Sequence, residues 1–233
     1  MSNPFQIVQV TTAEQAEQMA DFFKRVWGSD EDVVPFDLAL ALIHVGAYAY
    51  LAFANDELVA ASFGVRGVLG DQQVLHSHVT ASIRAGAGFE LKRHQRSWAH
   101  DAGIAAITWT FDPLVRRNCV FNFVKLGATA IEYLPNFYGE MRDEINRGDQ
   151  SDRLLAYWLT DPQSSDKGAE TEASSEELLV TLPEDIEALR KVDLGEALRW
   201  RSVVREQLEP KISAGYQVSG MTADRTALIL TKR

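Results

Sequence analysis

Cysteine is nearly absent from this chain of 233 residues, which contains only Cys119. A disulfide framework within the chain is therefore excluded, and the composition favours a reducing compartment. The first residues lack the basic and apolar regions of a secretory signal, and no run approaches the ~20 apolar residues of a membrane span. We therefore predict a cytoplasmic protein that does not span a membrane, with Cys119 packed in the core.

Basic residues are also scarce, because 23 Lys and Arg stand against 33 Asp and Glu and give a net charge of −10. A broad nucleic-acid surface is excluded, since phosphate contacts need clustered Lys and Arg. An acidic surface suits a cationic amine substrate, although it is more often only a solubility feature. Asp30, Glu31 and Asp32 could meet such an amine, or form a solvated loop.

One stretch, VLHSHVTASIRAGAGFELKRHQRSWAHDA from Val74 to Ala102, carries the main functional signal. A β-rich run from Val74 to Thr80 leads into a short loop and a polar helix, with Gly86 and Gly88 at the junction. Glycine lets backbone approach a ligand, and the first amides of a helix have no internal partners. The arrangement predicts a phosphate site at the helix N-terminus, or else a plain strand-to-helix turn.

The elements that follow extend this pattern. After Gly103, residues 105–112 (AAITWTFD) predict a second strand, and 116–127 (RRNCVFNFVKLG) predict a short helix that ends at Lys-Leu-Gly. This order, over about residues 5–160, resembles the GNAT superfamily of acyl-CoA-dependent N-acyltransferases. The runs His76-Ser77-His78, WTFDPL (109–114) and LPNFYGEM (134–141) resemble one bacterial branch of GNAT-like proteins.

The resemblance implies an α/β fold: a mixed, mainly antiparallel central sheet with flanking helices, here with a small α+β C-terminal extension. It also implies acetyl-CoA or another acyl-CoA as cosubstrate and an amine acceptor. The glycine loop would bind the coenzyme's pyrophosphate, and the preceding strand would pair with pantetheine and polarise the thioester. The residues implied in coenzyme binding are Val79, Thr80, Arg84, Ala85, Gly86, Ala87, Gly88, Phe89 and Asn118.

Two positions depart from the family pattern. Ile83 stands where the family loop has Gln or Arg, and Arg84 comes one place late. Phe123 stands where the family often has a tyrosine that protonates the leaving thiolate. Anion binding could therefore be weaker or absent, and the role of proton donor is either vacant or filled by another residue.

Three residues are candidates for the chemistry. His76 and His78 lie two apart on one strand face, and His78, nearer the loop, is the predicted general base. Asp112 ends a strand and could orient the amine, and Tyr138 could replace the missing phenol. The alternatives are structural histidines, a simple turn at Asp112 and aromatic packing at Tyr138. A His-x-His pair can bind zinc, but no third ligand is set by spacing, so no metal is predicted.

The chain is predicted to divide into a GNAT-like domain at 1–160, a flexible linker at 161–176 and a helix-and-hairpin extension at 177–233. An apolar stripe in the extension must be covered, either in the same chain or in a homodimer. Pro210 should kink or end its helix. The stripe consists of Trp200, Val203, Val204, Leu208 and Ile212.

The predicted function is acyl-CoA-dependent transfer, with acetyl as the expected acyl group, to a primary amine of a small molecule or peptide. The alternative is a catalytically degenerate GNAT-like module that binds a ligand or partner. A second alternative is a purely structural dimer subunit, suggested by the extension.

Overall fold

The computed structural model describes residues 4–28, 32–139, 148–162, 169–171 and 177–233. They form two compact units, Met1–Thr108 and Trp109–Arg233, so the boundary falls inside the range predicted as one domain. Of the predicted acidic loop, Asp32 pairs with Lys24 at 2.9 Å. Asp30 and Glu31, with residues 140 and 141 of the LPNFYGEM run, lie outside the described residues.

The first unit is a mainly antiparallel sheet with three helices among its described residues. Strands β1 to β4 pair in chain order, and β4 pairs in parallel with the start of β5. The elements are β1 Gln6–Gln9, α1 Ala13–Trp27, α2 Phe36–His44, β2 Tyr48–Ala54, β3 Glu57–Leu69, β4 Gln72–Ser82, α3 Ala87–Asp101 and β5 Ala106–Phe111, which crosses the boundary.

Apolar side chains cover both faces of this sheet, as alternation along the strands requires. Leu51 and Ala61 pack with α1 and α2, whereas their neighbours Ala52 and Ala60 pack with Leu91 on α3. Strand β4, which leads into the glycine loop, packs in the same layer as Leu51 and Ala61, and the first turn of α3 packs in the opposite layer.

The second unit contains the rest of the GNAT-like range and the C-terminal extension. Its strands follow the order β7-β6-β10-β11-β9, all antiparallel, and β8 pairs in parallel with β10. The elements are α4 Arg116–Cys119 with a π-helical continuation Val120–Lys125, β6 Thr129–Leu134, β7 Arg153–Leu159, β8 Ala169–Thr171, β9 Leu178–Thr181, α5 Ile186–Val192, α6 Leu194–Ser213, β10 Tyr216–Thr222 and β11 Ala227–Lys232.

The extension packs within its own chain, as predicted, because Val218 of β10 pairs with Ala130 of β6. Strand β8 lies in the range predicted as a linker, most of which is outside the described residues. Cys119 is buried as expected and donates to the Pro113 carbonyl at 3.3 Å.

Of the two predicted effects of Pro210, the ending of α6 is wrong, because the proline lies in the last turn and the helix runs to Ser213. The predicted apolar stripe is wrong at Val203, which is 43 % exposed, and at half-buried Trp200. The buried stripe is Ala197, Arg201, Val204, Leu208 and Ile212. Arg201 can be buried among apolar residues because it has buried carboxylate partners.

The predicted fold class is confirmed: α/β, with mainly antiparallel strands and flanking helices. No helix in the described ranges is long and apolar enough to cross a membrane.

Candidate active site

A β-bulge interrupts strand β4 at Ser77 and at His78, the predicted general base. Phe63 pairs with Val79 and Val65 pairs with His76, so Gly64 alone faces two residues, Ser77 and His78. A bulge of this kind bends the strand and re-aims side chains, and bulges are common next to active sites. The Ser77 and His78 side chains accordingly contact different elements, α3 and the loop before α2.

The parallel ladder between β4 and β5 ends at the same place. It joins Val74 to Ala106, Leu75 to Ile107 and His76 to Thr108. From Ser77 to Ser82, β4 continues past the end of this ladder while still paired with β3. Backbone groups at Val79 and Thr80 are therefore placed where an extended ligand could pair with the strand.

The glycine loop leads directly into α3 through a left-handed residue. Gly86 is the N-cap of the helix with φ 86°, a conformation that glycine adopts without strain. Ser82 Oγ donates to the Arg84 carbonyl at 2.8 Å, and the Ile83 amide donates to Val59 at 2.9 Å. The loop is thus held by one hydrogen bond within it and by another to strand β3.

The amides at the start of α3 differ in their availability. The Ala87 amide donates to the Arg84 carbonyl at 3.2 Å. Within the described part of the chain, the backbone amides of Ala85, Gly86, Gly88 and Phe89 donate to no protein group. Unpaired amides at a helix N-terminus, with its partial positive charge, can bind a phosphate group. Four amides of the predicted set are therefore available to an anion such as a diphosphate.

The side chains around this loop fit an open site. Arg84, Ala85 and Gly86 are exposed, and Gly88 and Phe89 are half-buried. A Cβ on Gly88 would lie 3.3 Å from Ser82 Cβ, so a larger residue would press on the loop. Ile83, where the family pattern has a polar residue, is 51 % exposed.

The two candidate histidines have different surroundings. His78 is exposed, and its Nε2 lies 3.4 Å from the Val33 carbonyl. When Nε2 donates to that carbonyl, Nδ1 is left as the proton acceptor. His76 is half-buried with Nδ1 3.2 Å from Thr108 Oγ1. Burial lowers the pKa of His76, and charge on His78 and Lys92 lowers it further.

The sequence reading missed Lys92, which is 5 % exposed on α3. Its Nζ donates to Ser77 Oγ at 2.8 Å and to Gln95 Oε1 at 3.4 Å. Burial lowers the pKa of Lys92 to about 7. One signal of its role was available in the sequence: Lys92 lies beside Leu91, on the helix face that Gln95 and Ala99 continue. A long polar side chain on a buried helix face must have hydrogen-bond partners.

In the second unit, Asp112 lies in a buried ion cluster. Arg201 Nη1 and Nη2 lie 2.8 Å from its two oxygens, Arg190 Nη2 lies 2.7 Å from Oδ2, and Asp149 shares both arginines. Burial alone raises the pKa of Asp112, but hydrogen bonds and charge from Arg201 and then Arg190 outweigh it and lower the pKa to about 2. A carboxylate so engaged is a poor base, so the geometry favours a structural role over the predicted one.

The other predicted residues of this unit are more accessible. Tyr138 is 47 % exposed, and its hydroxyl lies 2.8 Å from Thr110 Oγ1. The Arg153 guanidinium carbon lies 5.3 Å from its ring centroid. Asn118 is half-buried, and its backbone amide donates to the Val115 carbonyl at 2.9 Å. Phe123 is fully buried, so that position supplies no proton donor.

The predicted residues therefore fall in both units. Nine of them follow one another along β4, the loop and the first turn of α3. Asp112, Asn118 and Tyr138 belong to the second unit. Among the described residues, no group of three or more His, Cys, Asp or Glu could hold a metal ion.

Neither a protein-family model nor a curated protein sequence matches this chain. Solved structures do resemble it. An aminoglycoside 6'-acetyltransferase type Ii aligns with TM-score 0.53 and 16 % identity, over 68 % of this chain and 99 % of its own. A ribosomal-protein-S5-alanine acetyltransferase from Vibrio fischeri aligns with TM-score 0.53 and 13 % identity, over 71 % of this chain and 98 % of its own. The protein yncA from Salmonella typhimurium, solved with acetyl-CoA, aligns with TM-score 0.52 and 14 % identity, over 72 % of this chain and 100 % of its own.

These structures define the class of fold. The chain has the GNAT acetyltransferase fold, with the strand, bulge, glycine loop and helix described above. The aligned share is about the size of the neighbours' whole chains, so the additional length belongs to this protein.

Proposed function

We propose that this protein is a cytoplasmic acyl-CoA-dependent N-acyltransferase, with acetyl-CoA as the expected cosubstrate and a primary amine as acceptor. The observation that carries the proposal is the turn at Gly86, where amides at the start of α3 donate to none of the residues that the structure describes. The fold supports it, and so does the acetyl-CoA in the structure of yncA. An aminoglycoside and a ribosomal-protein alanine, in the names of two neighbours, support an amine acceptor.

Each part of the first unit has a defined task in this proposal. Bound acyl-CoA would supply the thioester whose acyl group moves to the amine. The amides of Gly86, Gly88 and Phe89 bind the pyrophosphate, and backbone at Val79 and Thr80 pairs with the pantetheine arm. A backbone N–H in that part of β4 donates to the oxygen on which negative charge develops.

The remaining task is proton transfer. His78 accepts the proton that the attacking amine loses, through Nδ1 or through water, because its Nε2 lies by the Val33 carbonyl. The proton for the departing sulfur needs a separate donor, since Phe123 has none. Tyr138 is the proposed donor, and the Thr110 hydroxyl orients its phenol.

A calorimetric titration with acetyl-CoA tests the proposal directly. Gly86→Val should weaken binding at least about tenfold, equal to about 1.4 kcal/mol, because a side chain blocks the approach to the free amides. Gly103→Val is the matched control: Gly103 follows the same helix, also has positive φ (71°), and has open space around it. It carries similar backbone strain, so its coenzyme affinity should match that of the unsubstituted protein.

The alternative is a non-catalytic module that keeps the fold and binds a ligand or partner. Buried Phe123 and exposed Ile83 favour it, since both replace polar residues of the family pattern. Thiol release from acetyl-CoA with a panel of primary amines separates the two functions. Tight binding without release for any amine would support the module, and no binding at all would contradict the enzyme.

A further inference from the structure

The bulge in β4 is fixed by contacts at both of its sides. Opposite the bulge, Gly64 leaves room for the β4 backbone, because a Cβ there would lie 3.0 Å from the His76 carbonyl oxygen and 3.4 Å from Ser77 Cα. On the α3 side, the Lys92 ammonium donates to the Ser77 hydroxyl at 2.8 Å. The strand therefore deviates at a place where one neighbour makes space and the other supplies a bond.

A chain of hydrogen bonds continues from Lys92 to the far side of the bulge. Lys92 donates to Gln95 Oε1, and Gln95 Nε2 donates to Ser62 Oγ at 3.3 Å. Ser62 Oγ in turn lies 2.8 Å from Thr80 Oγ1 and 3.3 Å from the Val79 carbonyl oxygen. Lys92, Gln95 and Ser62 are all buried, so water does not compete with these bonds.

The two ends of this hydrogen-bond chain lie on either side of the proposed reacting groups. Ser77 immediately precedes His78, and Thr80 immediately follows Val79. The contacts from α3 therefore hold β4 on both sides of the pair His78 and Val79. Helix α3 also begins at Gly86, which links the same helix to the proposed pyrophosphate site. A buried lysine needs such partners, since an amine without them is costly to bury.

We propose that Lys92 is a positioning residue for acyl transfer. It holds the β4 bulge directly at Ser77, and it holds β4 indirectly at Thr80 by way of Gln95 and Ser62. The inference rests on the proposed function and deepens it. Lys92 does not touch the reacting atoms; it fixes where the His78 imidazole and the Val79–Thr80 backbone lie. Displacement by about 1 Å of groups that must meet a substrate can cost orders of magnitude in rate.

Two substitutions interrupt the chain at different atoms. Lys92→Met keeps the length of the side chain and removes the amine, and Ser77→Ala removes only the acceptor hydroxyl. Each should lower kcat about tenfold or more and change the Kd for acetyl-CoA by a smaller factor, because the pyrophosphate amides at the Gly86 turn are untouched while the pantetheine-pairing backbone at Val79 and Thr80 moves with the bulge. The double variant should be no slower than the worse single variant, because both act through one bond.

Arg93→Met is the matched control, since Arg93 is the next residue of α3, is 63 % exposed at its side chain, and also loses a cation. Its kcat should match that of the unsubstituted protein. A lower melting temperature with unchanged kcat per folded molecule in both test variants would overturn the proposal and leave Lys92 as a stability residue.

A second readout does not depend on turnover. Backbone amide chemical shifts of Gly64 and of His78 to Thr80 should move in Lys92→Met and Ser77→Ala, and not in Arg93→Met. In Lys92→Met the pKa of His76 should rise, because one of the two nearby cationic groups, Lys92 and His78, is gone. Unchanged shifts would overturn the positioning role even if no acceptor amine were found. Moved shifts in a protein without turnover would contradict only the proposed function.

Discussion

Arg201 donates to both oxygens of Asp112, with Nη1 2.8 Å from Oδ1 and Nη2 2.8 Å from Oδ2, although 89 residues separate the two. Both side chains are buried. Asp149 and Arg190 complete a set of two carboxylates and two guanidinium groups, so the formal charges balance. The cluster joins the end of β5 and the start of β7 to both helices of the extension.

Removing one member should leave uncompensated buried charge. We expect Asp112→Ala to lower the free energy of unfolding by about 3–5 kcal/mol, because Arg190 and Arg201 lose one of the two carboxylates that they share and keep only Asp149. Urea denaturation followed by tryptophan fluorescence measures this. Glu206→Ala, which removes an exposed carboxylate from α6, should cost far less. Equal losses in the two variants would contradict the importance of the cluster.

The same cluster predicts the response to acid. Burial raises the pKa of Asp112, but bonds and charge from Arg201 and Arg190 outweigh it and lower the pKa to about 2. The pKa of the neighbouring Asp152 is also lowered, because hydrogen bonds from Arg205, Tyr133 and the Asn136 backbone amide outweigh its burial. A carboxyl whose folded pKa is depressed gives stability that is complete above its unfolded pKa, near 3.9, and lost as pH falls through the folded value. The free energy of unfolding should therefore fall between about pH 4 and 2. In Asp112→Ala this slope should be shallower, and an identical slope would contradict the assignment.

His78 should carry the proton transfer of the proposed reaction. His78→Ala removes the imidazole that accepts the amine proton, so we expect kcat to fall by about 10²–10⁴-fold while the Kd for acetyl-CoA stays the same. Steady-state kinetics with acetyl-CoA and an acceptor amine measure kcat, and calorimetry measures the Kd. His100→Ala, which removes an exposed imidazole at the end of α3, should keep the kcat of the unsubstituted protein. An unchanged kcat in His78→Ala would leave that histidine with a structural role only.

Truncation after Thr160 tests the extension. It would remove the partner of β6 at Ala130 and both arginines of Asp112, so buried carboxylates and apolar surface would be left exposed. We expect aggregation or a lower melting temperature. A full-length variant with a protease site placed between residues 163 and 168 is the control. After cleavage, its two pieces should elute together in gel filtration, and a truncated protein with an unchanged melting temperature would contradict the prediction.

Local chemistry made much of the fold predictable. Thr12 followed three residues later by Gln15 predicts a capping box, and the structure has it: the Thr12 hydroxyl accepts from the Gln15 backbone amide at 3.3 Å, and the Thr12 backbone amide donates to Gln15 Oε1 at 3.2 Å. The pair Asn55-Asp56 between two apolar runs predicts a tight turn, and both residues have positive φ. Each feature depends on residues a few positions apart, which a sequence displays directly.

Long-range pairing explains what was missed. Lys92 and Arg201 lie on the buried faces of α3 and α6, but long, charged side chains are rarely buried, so their residue type assigns them to solvent. Their burial depends on partners 15 and 89 residues away. The bulge at Ser77 was equally hidden, because it is a relation between β3 and β4 and not a property of either strand. The catalytic roles of His78 and Tyr138 stay predictions.

The order in which the ribosome makes the chain gives the cluster a further meaning. The first unit is complete by Thr108, so its sheet, glycine loop and α3 can form while the rest is still being synthesised. The second unit has to wait, because β6 lacks its neighbour β10 and Asp112 lacks Arg201 until the chain has been made as far as Val218. A nascent chain stalled before α6 would hold a finished glycine loop in its first unit and unpaired carboxylates in its second. Cellular quality control could then recognise an incomplete copy by its second half alone.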